Sequence, residues 1–213
     1  MPTRNPRLLP FVALAAVAIA ASFALDRWAF ATLVSPGIYD KDLGRLLRIV
    51  GFLPTWGLAA LAIGLHDRGP VPAVRLPWRG WRRAATVVLA PLAAGAAAEL
   101  LKLLLRRERP LDHAGAYVFR PWSDRPFSTA GLGLPSSHTL VAFGAAAALG
   151  ALYPRTRWVW YTLAAGCGLS RVLAQAHFLS DVVVAAVVGS AIGAALGRRT
   201  RDAISDAPAA VES

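Results

Sequence analysis

Residues 158–197 read WVWYTLAAGCGLSRVLAQAHFLSDVVVAAVVGSAIGAALG: two apolar runs, Trp158–Leu169 and Val182–Leu196, on either side of the polar stretch Ser170–Asp181. The runs have the character of membrane helices, yet the stretch between them holds Arg171, His177 and Asp181. His177 and Asp181 are four residues apart, so on a helix they share one face and can touch. A carboxylate bonded to one ring nitrogen of a histidine fixes its tautomer and leaves the other nitrogen free as a base or nucleophile. Arg171 adds a permanent cation whose planar donors suit phosphate oxygens. Ionisable groups next to lipid are costly and mark a site by default, the competing reading being a polar loop with an incidental His–Asp contact. Two further clusters weigh against that reading.

Of the 213 residues, 56% are hydrophobic and 16% charged. That composition is too apolar for an ordinary soluble domain and predicts an all-α, polytopic membrane protein. The net charge of +11 comes from arginines that flank apolar runs, as cytoplasmic anchors and contacts to anionic lipid do. No aromatic–basic interleaving accompanies it, so nucleic acid is not an expected partner. The single cysteine, Cys167, lies inside an apolar run and reads as packing. It excludes an intrachain disulfide and a multi-thiolate metal site.

In chain order, Arg4 and Arg7 precede an apolar run, Leu8–Leu25, of spanning length. Ser22 and Ala24 imitate a signal-peptide cleavage site, but apolar character resumes after Asp26 and Arg27, which favours an uncleaved helix. Ser35–Arg45 reads as a loop and Leu46–Leu65 as a second span kinked at Pro54. His66 follows at an exposed helix end and is assigned no chemistry. The stretch His66–Arg83 carries Arg68, Arg75, Arg79, Arg82 and Arg83 around Trp78 and Trp81, an interfacial anchor. Four more spans are expected over Ala84–Leu105, Ser137–Tyr153, Trp158–Leu173 and Asp181–Gly197. Arg106–Leu134 is a polar connection, Arg155 and Arg157 mark a tight basic turn, and Arg198, Arg199 and Arg201 lead into a polar tail. The expected organisation is one domain over residues 1–201, with a core at 84–197 and a disordered tail at 202–213. Six transmembrane helices put both termini on one side, which the arginine count makes cytoplasmic. Arg106, Arg107, Arg109, Arg120 and Arg125 then face the other side, and an anionic substrate would account for them.

In that topology three clusters meet on one side: Lys102 with Arg109 and Pro110 in KLLLRRERP; Pro135-Ser136-Ser137-His138 where a span begins; and Ser170-Arg171 through His177 to Asp181. A helix N-terminus presents unpaired N–H groups and the positive end of the dipole, a ready anion site. These clusters resemble the KxxxxxxRP, PSGH and SRxxxxxHxxxD motifs of the type 2 phosphatidic acid phosphatase superfamily. That family includes membrane lipid phosphatases, bacterial acid phosphatases, glucose-6-phosphatase and vanadium haloperoxidases. The resemblance covers Lys102 to Asp181 with order and spacing intact. It departs at Ser137, where the family usually has glycine and where a side chain would crowd the phosphate if the backbone needs a positive φ.

The resemblance implies the helical-bundle core of that superfamily and a phosphoryl transfer without metal or other cofactor. His177 would attack phosphorus to form a phosphohistidine, with Asp181 orienting its ring. His138 would protonate the leaving oxygen and then activate water. Lys102, Arg109, Ser136, Arg171 and the backbone at Ser137 would hold the phosphoryl oxygens. Three cations aimed at one point would also repel a metal ion at His138, His177 and Asp181. Outside the motifs, Asp112 and His113 read as a solvated loop, Glu99 as the partner of Lys102, and Arg106 and Arg107 as headgroup contacts. The implied activity is hydrolysis of a lipid phosphomonoester or diphosphate at the extracytoplasmic face of a bacterial inner membrane. Isoprenoid diphosphate, phosphatidic acid, phosphatidylglycerol phosphate and lipid A phosphate are the candidate substrates, and membrane lipids the only other expected partners. Phosphoryl transfer to a second lipid uses the same residues and stays open. A vanadium haloperoxidase fits poorly with six spans, and a non-enzymatic lipid transporter has no need of the full His–His–Asp set.

Overall fold

A computed structural model describes residues 8–68 and 78–206 of the chain. Its helices are α1 (Leu8–Thr32), α2 (Asp42–Ile49), α3 (Leu53–Arg68), α4 (Trp78–Leu105), α5 (Ser137–Leu152), α6 (Arg157–Leu173) and α7 (Leu179–Ser205), with short 3-10 turns at Ile38–Asp40, Leu111–His113 and Pro154–Thr156. Among the described residues there is no β-strand, only the isolated bridges Arg107–Phe119 and Glu108–Leu132. The all-helical expectation therefore holds.

Burial is inverted relative to a soluble protein. Leu9, Phe11, Val12, Leu14 and Val17 of α1 are exposed, as are Leu58, Leu61 and Leu65 of α3 and Leu89, Leu92, Leu100 and Leu104 of α4. Ionisable groups, including Asp26, Lys102, Arg107, Arg171, His177 and Asp181, are buried. An exposed apolar surface of this extent fits a lipid surround. By length and composition three segments can cross a membrane, Leu9–Thr32, Trp81–Leu105 and Leu179–Ser205, or four if the bent pair α2–α3 is one span. The six expected from the sequence are not reached by that measure, because α5 has 16 residues and α6 has 17. The shortness of α5 follows from its place. It packs against α4, α6 and α7, and Thr139–Ala142 and Gly144–Leu149 are buried, so it is the axis of the bundle.

Small residues bring α5 and α7 together. A Cβ at Gly193 would lie 2.0 Å from the Gly144 carbonyl oxygen, and one at Gly189 would lie 2.6 Å from that of Leu140. Gly189, Gly193 and Gly197 recur every fourth residue and form one face, the spacing that lets membrane helices approach backbone to backbone. Gly193→Val should accordingly cost about 3 kcal/mol or more of overpacking, read as a lower unfolding temperature in detergent; an unchanged transition would mean the helices are not this close.

Several local expectations change. Pro54 does not kink a helix: the break falls at residues 50–52, where the axis turns by 70°, and Pro54 sits in the first turn of α3, where its missing N–H costs nothing. The carbonyls freed at the end of α2 are taken up by Thr55 Oγ1 to Ile49 (3.0 Å) and Trp56 Nε1 to Val50 (2.9 Å). The expected loop Ser35–Arg45 contains a 3-10 turn and the start of α2. The start expected for the third span moves back to Trp78, and α7 continues through Arg198–Arg201 to Ser205, so the first residues of the expected tail are helical. Residues 207–213 of that tail and Arg75 of the basic stretch lie outside the described residues. His66 is exposed, as expected. The helix α1 runs unbroken through Ser22 and Ala24.

The connection between α4 and α5 is built rather than loose. Arg106 ends α4 in the left-handed region (φ 53°), which costs a non-glycine residue about 1–2 kcal/mol. Its guanidinium offsets this by donating to the carbonyls of Arg120 (2.9 Å), Pro126 (3.1 Å), Pro121 (3.0 Å) and Asp124 (2.6 Å). Arg120 in turn donates to Glu108 (2.7 Å) and to the carbonyl of Ala130 (2.8 Å).

Candidate active site

The C-terminal ends of α4 and α6 and the N-terminal ends of α5 and α7 meet at one end of the bundle. Asp181 is the third residue of α7. Its Oδ2 accepts the Phe178 backbone N–H (2.9 Å) and faces His177 Nδ1 (3.3 Å). A carboxylate three residues into a helix reaches back to the cap residue's N–H, so the group that steers the histidine also starts the helix. The Nδ1–Oδ2 distance is at the long end for a hydrogen bond. Because an ionised Asp181 can only accept, a hydrogen bond between them puts the ring proton on Nδ1 and leaves the lone pair on Nε2. His177 lies in the connection between α6 and α7 and is 3% exposed. Burial pushes its imidazole below the ordinary histidine value, Arg171 and Arg109 add to that, and Asp181 opposes it.

Direct bonds join the three sequence clusters. The Ser136 N–H donates to the Asp181 carbonyl (3.1 Å), tying the second to the third. Lys102 Nζ contacts Ser137 Oγ and pairs with Glu99 (3.1 Å), tying the first to the second. Gly133 lies close to Asp181 Oδ2, the Glu108 carbonyl and the Arg109 Cα: a Cβ there would be 3.0, 3.3 and 3.5 Å from them, a tight fit. The imidazole of His138 is within the fields of Arg171, Arg48, His177 and Lys102. Ser136 is fully buried, and its Oγ accepts a bond from Thr139 Oγ1 (3.0 Å). All eight expected site residues, Lys102, Arg109, Ser136, Ser137, His138, Arg171, His177 and Asp181, thus fall at the same end.

Among the described residues, the Nε atoms of Arg107, Arg109 and Arg171 are buried without a hydrogen-bond partner. For Arg109 and Arg171, whose charges both act on His177, an oxyanion would satisfy that donor. Arg171 is otherwise held by Tyr39, whose hydroxyl accepts from Nη1 (2.9 Å) and donates to the Ser170 carbonyl (3.1 Å). Ser137 is not at positive φ; it is the first residue of α5, and its hydroxyl donates to Glu99 (2.7 Å). The side chain where the family usually has glycine is therefore turned to Glu99 and Lys102. Removing it in Ser137→Gly should change kcat less than about fivefold, since only bonds to Glu99 and Lys102 are lost; a larger loss in steady-state assays would give the hydroxyl a part in the chemistry.

Two expectations are corrected. Arg107 is not a headgroup contact. It is 1% exposed, donates from Nη2 to Asp181 Oδ1 (2.5 Å) and Ser180 Oγ (2.6 Å), and lies 3.8 Å from Asp26 Oδ2. The rings of Phe23, Tyr117 and Phe178 surround it at 4.9–5.2 Å. Arg106 is equally buried, in the carbonyl cluster described above. Asp112 is exposed as expected, but His113 pairs with Glu108. Glu99 pairs with Lys102 as expected. Arg107, Tyr39 and Asp26 were not picked out as site residues. A carboxylate inside the apolar run of α1 was the one available signal, because such a group rarely survives unpaired.

The fold and site define a helical membrane domain that gathers cationic side chains and a helix N-terminus around an aspartate-paired histidine. Comparison with known sequences gives the family: the sequence model of the PAP2 superfamily matches residues 83–204, and the chain belongs to that superfamily. It is 34% identical to a lipid A 1-phosphatase of Rhizobium etli over 166 residues, 70% of this chain and 66% of that protein. A lipid A 1-phosphatase of Rhizobium johnstonii is 36% identical over 58% of this chain and 48% of its own length. For one of Porphyromonas gingivalis the figures are 38% identity, 38% and 19%. The chain thus matches less than two thirds of the length of each of these relatives. No solved structure matches it.

Proposed function

We propose that this chain is a membrane phosphatase that removes phosphate from a lipid phosphate, and that the substrate is a lipid A-type 1-phosphate. The observation that carries the reading is the buried His177–Asp181 pair, set where Lys102, Arg109, Arg171 and the N-terminus of α5 meet. The relatives' name, lipid A 1-phosphatase, supports lipid A phosphate over phosphatidic acid, phosphatidylglycerol phosphate or an isoprenoid diphosphate.

His177 Nε2 attacks phosphorus and the bond to the lipid oxygen breaks. His138 gives its proton to that oxygen. His138 then takes a proton from water, the water oxygen displaces the histidine nitrogen, and inorganic phosphate leaves. Arg109, Arg171 and the first N–H groups of α5 hold the equatorial oxygens, the place where preorganised donors help most. Lys102 contributes its charge while paired to Glu99. No step requires a metal ion.

An apolar cleft of about 630 Å³ supports a lipid substrate. Its lining includes Phe52, Leu53, Leu92 and Val141 together with Glu99, Ser137 and His138. An acyl chain fits such walls while its phosphate reaches the cations. This reading takes the protein to lie in a bacterial inner membrane with six spans, α2–α3 acting as one, and with the site on the periplasmic side. Phosphate release from a panel of these lipids in detergent with EDTA tests the proposal. Preference for a lipid A 1-phosphate, insensitive to EDTA, is expected; loss of activity with EDTA, or no release from any member, would overturn it.

The pH profile gives a second test. The nucleophile must be neutral, and a lowered pKa keeps His177 neutral at and below the ordinary histidine value of about 6.5. The acid limb of kcat/KM assigned to the enzyme, with the ionisation of the substrate phosphate measured separately, should fall below that value. A limb at or above it would mean that His177 is not the buried nucleophile.

A further inference from the structure

The helix α1 lies outside the stretch matched by the family, and most of it faces outward. Its inward face is a stripe at helical spacing, Ser22, Asp26 and Ala29, all buried. Asp26 is fully buried on a mostly apolar helix, a placement that costs several kcal/mol unless the carboxylate is hydrogen-bonded. It accepts three bonds. Asp26 Oδ1 accepts the Ser180 N–H (2.7 Å), and Oδ2 accepts the Ser180 hydroxyl (2.5 Å) and the Tyr117 hydroxyl (2.6 Å). Burial, with Asp26 beside it, pushes the Tyr117 hydroxyl up to about 12, so it stays a donor. Arg107 bridges the two carboxylates, at 2.5 Å from Asp181 and 3.8 Å from Asp26.

We propose that Asp26 is a positioning residue for the reaction: by holding Ser180 and Arg107 it fixes the first turn of α7, and so the Asp181 carboxylate that steers His177. The argument is geometric. Asp26 binds the residue directly before Asp181 through both backbone and side chain. It also shares Asp181's cation, so the first turn of α7 cannot rotate without breaking its two bonds to Asp26 of α1. The role of α1 is then to supply a support for the nucleophile's partner, in addition to crossing the bilayer.

This inference rests on the phosphatase reading, and a double-mutant cycle tests it in the full chain. Release is followed on a lipid A 1-phosphate and on p-nitrophenyl phosphate, so that a wrong substrate is told apart from a wrong role. Asp26→Asn should lower kcat about tenfold with KM within about twofold, the range seen when the support of a functional group is removed. In an Asp181→Asn background the same change should cost less than about twofold, because residues acting through one another are not additive. Tyr117→Phe, which removes one donor without disturbing charge, should shift kcat in the same direction by a smaller factor and lose its effect in the same background. If Asp26→Asn does not accumulate, this second pair decides. A full effect of Asp26→Asn that persists without the Asp181 carboxylate, a change confined to KM, or specific activity unchanged per folded molecule would overturn the proposal. Turnover of p-nitrophenyl phosphate without any lipid turnover would overturn the lipid substrate alone. A parent inert toward both would overturn the phosphatase reading and this inference with it.

Discussion

His177→Ala should abolish phosphate release, a fall in kcat of about 10⁴-fold or more, the scale seen when a covalent nucleophile is deleted. Asp181 is engaged by Arg107 and by the Phe178 N–H, so it is not free to replace the imidazole, and His138 has the separate task of moving protons. His138→Ala removes a proton donor rather than the nucleophile, so its loss should be smaller, about 10²–10⁴-fold. It should be smallest for a substrate with a good leaving group such as p-nitrophenyl phosphate, which needs no proton. Steady-state assays of the three proteins on both substrates check this order. Equal losses on both substrates, or a residual His177→Ala activity within tenfold of the parent, would contradict the division of labour.

The second large effect is on folding. In Arg107→Leu, Asp26 and Asp181, both fully buried, lose the cation between them. Breaking a buried ion pair by removing one partner costs about 3–5 kcal/mol, and here two carboxylates are stranded at once. The variant should unfold well below the parent in detergent, or fail to accumulate, and any folded fraction should be nearly inactive. Arg107→Lys should not restore it. A lysine is a point charge without the planar fork that reaches Asp181, Ser180 and Asp26 together. Combining Arg107→Leu with Asp26→Asn should recover part of the stability, since one of the two stranded charges is gone. A parent-like melting curve for Arg107→Leu alone would show that the guanidinium is not where the structure places it.

Much of this site was legible in the sequence because catalysis confines residue types and spacing. His177 and Asp181 are readable as a pair from their four-residue interval. Pro135 and Ser136 at the head of an apolar run announce a helix N-terminus. The apolar runs likewise gave the helices, since lipid-facing side chains must be hydrophobic all round. What did not show was anything set by tertiary approach. Arg106 and Arg107 are adjacent arginines at a helix end, where arginines usually meet headgroups. Only the positive φ of Arg106 and the folding of residues 106–134 over the bundle turn both inward. Tyr39 sat in a stretch rich in turn residues, with no periodicity to reveal that it reaches Arg171 from 132 positions away. Helix length alone counts fewer spans than the sequence for a related reason. A run of apolar small residues reads alike whether it borders lipid or fills the middle of a bundle, and α5 does the latter.

The account stands on a covalent intermediate at one nitrogen, and trapping that intermediate tests it most directly. The His138→Ala protein, mixed with a substrate carrying labelled phosphate and quenched in alkali, should retain the label on His177 in acid-labile form, and His138→Ala/His177→Ala should retain none. Label that survives acid, that persists without His177, or that never appears in His138→Ala while phosphate is still released would contradict it.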